Sequence, residues 1–172
     1  MKLESMVNKC LIQHEGGEKF FDALDELMRN DTLLITMLIG KVLEKPKFDY
    51  IIVSGNFGKL FKEHCNKHMP KMFCDKIIVV PGGLRNGTKI TSFWNEISVK
   101  DKNFIFLDDS FYLGRTRNVI KEAILKHGGK FLSTYVFYDG SKFKEDDVYS
   151  FYRYFDHHPE ELEKPSFEEQ NN

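Results

Sequence analysis

The stretch Phe104-Ile-Phe-Leu-Asp-Asp-Ser-Phe-Tyr-Leu-Gly-Arg-Thr116 decides the fold class of this chain of 172 residues. Its four apolar residues predict a buried strand over 104–107, and two adjacent acids, Asp108 and Asp109, follow at the end of that strand. A short loop then leads to Gly114, which opens a predicted helix. Buried strands that alternate with helices are typical of parallel sheets covered on both faces, so we expect an α/β fold.

The segments on both sides of this stretch repeat the same alternation. Short apolar runs closed by glycine or aspartate predict strands at 50–53, 76–80, 104–107 and 131–137. Helical periodicity and capping residues predict helices at roughly 20–28, 32–44, 59–68, 116–127 and 145–158. The last helix would carry three acids in its first turn and an apolar stripe of Val148, Phe151, Tyr152 and Phe155. We therefore predict three layers with a mainly parallel central sheet, a helical N-terminal part and a C-terminal helix.

The length favours one domain, since a chain of this size buries enough surface to fold without a disulfide or a metal. We expect a single α/β domain over residues 1–158. It divides into an N-terminal helical part, a core and the C-terminal helix, at 1–47, 48–140 and 141–158. Residues 159–172 form an acidic tail that we expect to be disordered.

The composition excludes several classes of protein. Apolar residues make up 41% and aromatic residues 14%, which excludes a disordered or fibrous chain. No apolar run approaches the roughly 18 residues that a membrane span needs, and the N-terminus is too polar for a signal peptide. The three cysteines, Cys10, Cys65 and Cys74, lack disulfide-framework spacing. We interpret them as reduced thiols of a cytoplasmic protein.

The net charge of −1 conceals an asymmetry along the chain. Nine acids and two cations follow from residue 145 onward, which leaves residues 1–144 with a net charge of +6. A mildly basic body suits a ligand that bears phosphate. Because no basic stripe stands out, nucleic acid is not an expected partner.

The stretch around Asp108 and Asp109 combines groups suited to a phosphorylated sugar. Backbone N–H groups at the start of the helix form an anion site, and Gly114 lets the backbone approach a phosphate closely. Ser110 and Thr116 add hydroxyl donors. Two acids beside a phosphate need another partner, and ribose hydroxyls, directly or through Mg²⁺, are the natural ones.

An apolar strand, two acids, a short loop and Gly-x-Thr resemble the signature with which type I phosphoribosyltransferases bind phosphoribosyl pyrophosphate (PRPP). The Asp-Asp-Ser form is most similar to the loop of the glutamine PRPP amidotransferases. With the surrounding strands and helices, the resemblance covers roughly residues 48–140. It implies Mg²⁺-dependent transfer of the phosphoribosyl group from PRPP to a nucleobase or another small nitrogen acceptor. It also implies release of pyrophosphate and a possible homodimer.

The resemblance assigns roles to particular residues. Asp108 and Asp109 would be the catalytic acids, which hold the ribose 2- and 3-hydroxyls and contact Mg²⁺ indirectly through PRPP. The 5-phosphate loop would consist of Ser110, Phe111, Tyr112, Leu113, Gly114, Arg115 and Thr116. The pyrophosphate loop would consist of Ser54, Gly55, Asn56, Phe57 and Gly58. The segment Arg85–Trp94 matches the family's flexible loop, and its Arg85 and Lys89 would neutralise the leaving pyrophosphate. The N-terminal helices or the C-terminal helix would form the hood that selects the acceptor.

Two positions depart from the family's pattern. Leu113 stands where the family usually has Thr or Ser, and this removes a hydroxyl donor worth roughly 1.5–3 kcal/mol to a charged phosphate. Tyr112 stands where the enzymes that act on 6-oxopurines carry an aspartate. This difference disfavours a hypoxanthine or guanine enzyme.

Other interpretations of the same residues remain open. The chain can be a regulator or sensor that binds PRPP, a nucleotide or nucleic acid without catalysis, or a phosphohydrolase with Asp108 as its nucleophile. The two acids can also be a solvated strand end and a helix cap. Arg115 and Arg117 either contact the phosphate or are exposed bystanders. His64, Cys65, His68 and Cys74 are a candidate zinc cluster that lacks the usual paired spacing.

Overall fold

Five parallel strands form the centre of the molecule, in the order β2-β1-β3-β4-β5. The computed structural model describes Glu26, Arg29 and residues 32–44, 47–84 and 97–163. The strands are β1 (Tyr50–Ser54), β2 (Ile77–Val80), β3 (Asn103–Phe111), β4 (Lys130–Asp139) and β5 (Val148–Arg153). The all-parallel sheet confirms the predicted fold class.

Helices cover both faces of this sheet. They are α1 (Leu33–Leu43), α2 (Gly55–His68), α3 (Lys71–Cys74), α4 (Arg115–Lys126) and α5 (Tyr154–His157), followed by a 3₁₀ turn at Pro159–Glu161. The predicted helices at 32–44 and 116–127 match α1 and α4. None of the helices in the described parts of the chain is long and apolar enough to cross a membrane.

Alternate residues of the central strands enter two different cores, because successive side chains of a strand point to opposite faces. One core lies under α1 and α2, and its residues from β1 and β3 are Ile51, Val53, Ile105 and Leu107. The other core lies under α4, and its residues from the same strands are Ile52, Phe104 and Phe106. Burial on both faces explains why these strands appear in the sequence as continuous apolar runs.

The predicted C-terminal helix over 145–158 is wrong. Most of its apolar stripe belongs to the edge strand β5, which pairs in parallel with β4, and only the four residues of α5 are helical nearby. Aromatic and β-branched residues favour strands because their side chains pack across a pleated surface. Here the Tyr152 ring stacks on Tyr138 of β4, with ring centroids 5.8 Å apart. The spacing of these residues fits a helix and their aromatic character fits a strand, and pairing with the neighbouring strand β4 decides between the two.

The acids expected in the first turn of that helix lie instead in the β4–β5 connection (residues 140–147). Arg153 ties this connection to the sheet. Its guanidinium donates to the carbonyls of Ser141 and Lys142, at 3.0 and 3.1 Å, and its Nε lies 3.4 Å from the Asp139 carboxylate. The connection is thereby held against the carboxyl ends of β4 and β5.

Several sequence predictions concern residues outside the described ranges. These are most of the helix predicted at 20–28, the flexible segment with Arg85 and Lys89, and the tail from residue 164 onward. Within the tail predicted to be disordered, Pro159–Glu161 form the 3₁₀ turn.

Candidate functional site

The carboxyl ends of β1 and β3 meet at one edge of the sheet, which is the edge where ligands of parallel sheets bind. Ser54 is the last residue of β1, and Asp108 lies on the neighbouring β3. The Ser54 hydroxyl donates a hydrogen bond of 2.8 Å to Asp108 Oδ2. The fold therefore joins two of the sequence-predicted site residues that are 54 positions apart in the chain.

Asp108 and Asp109 have different surroundings although they are adjacent. Both oxygens of Asp108 accept hydrogen bonds within the protein, Oδ2 from Ser54 and Oδ1 from the backbone N–H of Asp109 at 3.0 Å. Burial and the neighbouring Asp109 charge hold the pKa of Asp108 well above its usual range, although the two hydrogen bonds oppose this shift. Asp109 accepts a 2.8 Å hydrogen bond from the Ser110 hydroxyl and is partly exposed. Both acids are partly exposed and line the same cleft, so both carboxylates can contact a ligand there.

The raised pKa of Asp108 predicts how stability depends on pH. The folded protein binds the Asp108 proton more tightly than the unfolded chain, so stability falls as pH rises from the ordinary carboxyl range through the raised pKa. We expect Asp108→Asn to remove this loss and to raise Tm at neutral pH. An increase of about 1 kcal/mol in the free energy of unfolding would raise Tm by roughly 2–4 °C in a chain of this size.

Thermal unfolding between about pH 4 and pH 8 measures this effect. Asp146→Asn removes an exposed carboxylate of the β4–β5 connection and serves as the control, with little expected change. A Tm of Asp108→Asn at or below that of the wild-type protein at pH 7 would contradict the prediction.

Ten consecutive residues, 108–117, line a cleft of about 140 Å³ together with Phe106. The sequence-predicted acids and 5-phosphate loop thus surround one space. The loop is shorter than predicted, because β3 continues past Leu107 to Phe111 and pairs with β4 at Ser110 and Phe111. Only three residues, 112–114, separate the strand from α4. Because the strand is longer, this short loop lies at the carboxyl end of β3.

Gly114 adopts a left-handed backbone with φ of +65° immediately before α4. A Cβ at this position would lie 2.9 Å from two ring carbons of Phe111, so a side chain has no room. α4 begins without a side-chain cap and has no acid in its first turn. Its first backbone N–H groups and its positive dipole end are therefore available to an anion in the cleft.

Arg117 is not an exposed bystander, and that interpretation of it is wrong. Its side chain is only 4% exposed and pairs with Glu145 and Asp147 of the β4–β5 connection. Its guanidinium lies 5.3 Å from the centroid of the Phe111 ring. The acids lie some thirty positions away and were assigned to a helix, so no local pattern in the sequence indicated the pairing. Arg115 is partly exposed and also lines the cleft.

The segment predicted as a pyrophosphate loop is mostly the first turn of α2. This helix begins at Gly55 rather than at Lys59. Phe57 is 2% exposed and packs against Phe61, while Gly58 fits closely against Val53. Within the segment, Ser54 faces Asp108, and Gly55 and Asn56 retain exposure to solvent. The segment lies at the edge of the sheet formed by the carboxyl ends of the strands, but it does not line the 140 Å³ cleft.

The candidate zinc cluster is not assembled. His64 and His68 do lie together on α2, with ring centroids 4.6 Å apart. Cys65, however, is fully buried, and burial with the nearby Cys74 raises the pKa of its thiol to about 12. No three metal-ligating side chains among the described residues are arranged to hold an ion. Cys65 and Cys74 are both free thiols.

Comparison with solved structures shows the class to which the fold belongs. An adenine phosphoribosyltransferase from Thermoanaerobacter pseudethanolicus is 18% identical, with 77% of this chain and 84% of that chain aligned at a TM-score of 0.51. A hypoxanthine-guanine phosphoribosyltransferase from Bacillus anthracis is 14% identical over 76% of each chain, at a TM-score of 0.47. No protein-family model and no curated protein sequence matches the chain. The chain has the fold of the type I phosphoribosyltransferases.

Proposed function

We propose that the protein is a phosphoribosyltransferase, which transfers the phosphoribosyl group of PRPP to a small nitrogen acceptor and releases pyrophosphate. One observation carries the proposal. A single cleft joins the carboxylate of Asp109, at the end of β3, to the uncapped N-terminus of α4 through the close turn at Gly114. The fold shared with an adenine phosphoribosyltransferase supports it.

The two halves of the cleft suit the two ends of a ribose phosphate. The N–H groups at the start of α4 would bind the 5-phosphate, with the Thr116 hydroxyl beside them. Asp109 would accept hydrogen bonds from the ribose hydroxyls, and Asp108 would hold the strand end in place through Ser54. The 5-phosphate and the Asp109 carboxylate would lie at opposite ends of the cleft. The ribose between them would therefore separate their negative charges.

The reaction is a displacement at C1 of the ribose. The bond from C1 to the pyrophosphate oxygen breaks, pyrophosphate leaves with the electron pair, the acceptor nitrogen forms the new bond to C1, and the proton that this nitrogen loses passes to water or to the released pyrophosphate. The ribose develops positive charge in the transition state. The protein therefore contributes chiefly a fixed ribose, a nearby carboxylate and exclusion of water.

The donor set suits Mg²⁺ held jointly with the ligand. Mg²⁺ prefers oxygen ligands, and in such sites it uses one or two carboxylates together with substrate phosphates. Asp109, and Asp108 beside it, would contact the ion through the ribose and PRPP, which agrees with the lack of a three-ligand cluster in the described residues. When bound, Mg²⁺ would neutralise charge on the leaving pyrophosphate.

A second function is favoured by the segment at residues 54–58. Because Phe57 is packed in the core and Gly58 against Val53, neither position offers a side-chain donor to a pyrophosphate. Leu113, which is 38% exposed, offers the phosphate no hydroxyl. A protein that lacks these donors to the pyrophosphate and the phosphate can bind PRPP or a nucleotide as a sensor without transferring the phosphoribosyl group.

Release of pyrophosphate from PRPP distinguishes the two functions. We expect the purified protein to bind PRPP in the presence of Mg²⁺ by calorimetry, and to release pyrophosphate when one member of a panel of nucleobases and small amines is added. Omission of Mg²⁺ and omission of the acceptor are the controls. Binding without release by any acceptor would favour the sensor, and absence of PRPP binding by the folded protein would contradict the transferase and a sensor of PRPP.

A further inference from the structure

Arg117 lies in the first turn of α4, with its side chain 96% buried at the wall of the cleft. Glu145 and Asp147 of the β4–β5 connection hold the guanidinium from one side, and the Phe111 ring packs against it. Long-range ion pairs and a ring contact thus fix the orientation of a charged group next to the predicted anion site. A buried cation with this support has little rotational freedom to lose when it binds a ligand.

Two buried nitrogens of this guanidinium, Nε and Nη2, make no hydrogen bond among the described residues, and Nη2 is the one of the two that pairs with an acid, Glu145. The Arg117 Nε–H is buried and has no hydrogen-bond acceptor among the described residues. A buried donor without an acceptor is unfavourable, so such a group calls for a water or a ligand. Arg117 Nε lies 3.8 Å from the position that a Cβ on Gly114 would occupy. The donor therefore lies beside the Gly114 turn, and Gly114 and Arg117 line the same cleft.

The charges around Arg117 leave it able to attract an anion. Its two acidic partners are matched by a second cation, since Lys121 Nζ lies 2.6 Å from Asp147 Oδ2. The group of four therefore carries no net charge. An anion bound beside Gly114 would gain an interaction with Arg117, because this group carries no excess negative charge that would repel the anion.

We propose that Arg117 is an anion-binding residue of the cleft, whose Nε–H donates to an oxygen of the phosphate bound at the start of α4. Arg117 supplies a donor at a site where Leu113 offers no hydroxyl. The identity of the phosphate as the 5-phosphate of PRPP rests on the proposed function. The presence of a site for a phosphate group does not.

The test measures the affinity of the full chain for ribose 5-phosphate and for inorganic phosphate, by calorimetry, with ribose as the uncharged reference. Arg117→Lys keeps the charge and the pairing with the acids but lacks the Nε–H. We expect it to bind both phosphate probes about 10-fold more weakly than the wild-type protein. Lys126→Gln is the matched control, because it removes a cation from the last turn of the same helix, outside the Arg117 ion pairs, and does not line the cleft. Its phosphate affinity should equal that of the wild-type protein.

A rescue separates ligand binding from a purely structural role. Leu113 is partly exposed, so Leu113→Thr can restore a hydroxyl at the cleft. Introduced with Arg117→Lys, it should recover most of the lost phosphate affinity without changing Tm. Weaker phosphate binding by Arg117→Lys at an unchanged Tm, recovered in the double variant, is the combination that a merely structural arginine would not produce.

The outcomes also separate this inference from the proposed function. Equal phosphate affinity of Arg117→Lys and wild type would overturn the role of Arg117, even if pyrophosphate release from PRPP is observed. Phosphate binding that depends on Arg117, without any PRPP turnover, would support the anion site and contradict the transferase. A folded wild-type protein that binds neither phosphate probe would overturn both.

Discussion

Replacement of Asp109 by Asn is expected to weaken the binding of PRPP with Mg²⁺ by about 100-fold. The carboxylate lines the cleft and is partly exposed, and it accepts a hydrogen bond from the Ser110 hydroxyl of the same loop. A hydrogen bond from a ribose hydroxyl to a charged carboxylate contributes roughly 1.5–3 kcal/mol, and two such bonds account for this loss. The asparagine keeps the size of the side chain, so the fold should remain intact.

Calorimetry beside thermal unfolding measures both consequences for Asp109→Asn. The matched control is Asp146→Asn, which neutralises an exposed carboxylate of the β4–β5 connection that does not line the cleft. The control should bind PRPP as the wild-type protein does. A change of less than about 3-fold in PRPP affinity for Asp109→Asn, with an unchanged Tm, would remove Asp109 from the ribose site.

The second large effect concerns Gly114→Ala, which we expect to destabilise the protein by about 2–3 kcal/mol and to abolish measurable phosphate binding. A residue with a Cβ at φ of +65° is unfavourable by roughly 1–2 kcal/mol. The new methyl group would also lie 2.9 Å from the Phe111 ring, which is itself buried against Arg117. Either the turn or the ring must shift, and both form the wall of the cleft.

Two other glycines separate these contributions. Gly83 has the same φ of +65° but no atom within 4 Å of the added Cβ, so Gly83→Ala should show the backbone effect alone, about 1 kcal/mol. Gly40 lies in α1 with open space around it, and Gly40→Ala should stabilise the protein by roughly 0.5–1 kcal/mol. Urea unfolding of the three variants gives the ranking. Equal destabilisation by Gly114→Ala and Gly83→Ala would show that displacement of the Phe111 ring does not lower the free energy of unfolding.

The elements that the sequence predicted correctly are those whose local pattern and tertiary environment agree. The apolar runs at 50–53 and 104–107 are buried on both faces, and no other common structure accommodates short continuous apolar segments between glycines and acids. α1 has a broad apolar face and a proline just beyond its end, so the sequence also predicted the position of this helix. The resemblance at 104–116 then indicated which edge of the sheet to examine.

The prediction failed where two structures satisfy the same pattern. The stripe from Val148 to Phe155 fits a helix by spacing and a strand by residue type, and pairing with β4 decides for the strand. The segment after β1 looked like a glycine loop. Its Phe57 instead enters the core and draws residues 55–58 into α2.

A parallel α/β sheet and two acids near the start of a helix could be predicted from the sequence, because both properties depend on neighbouring residues. The contacts that each of these groups makes arise only when the chain folds. Folding joins Ser54 to Asp108 and buries Arg117 between Phe111 and the acids of the β4–β5 connection. Such contacts depend on which strand ends become neighbours in the sheet, and no local spacing in the chain encodes that arrangement.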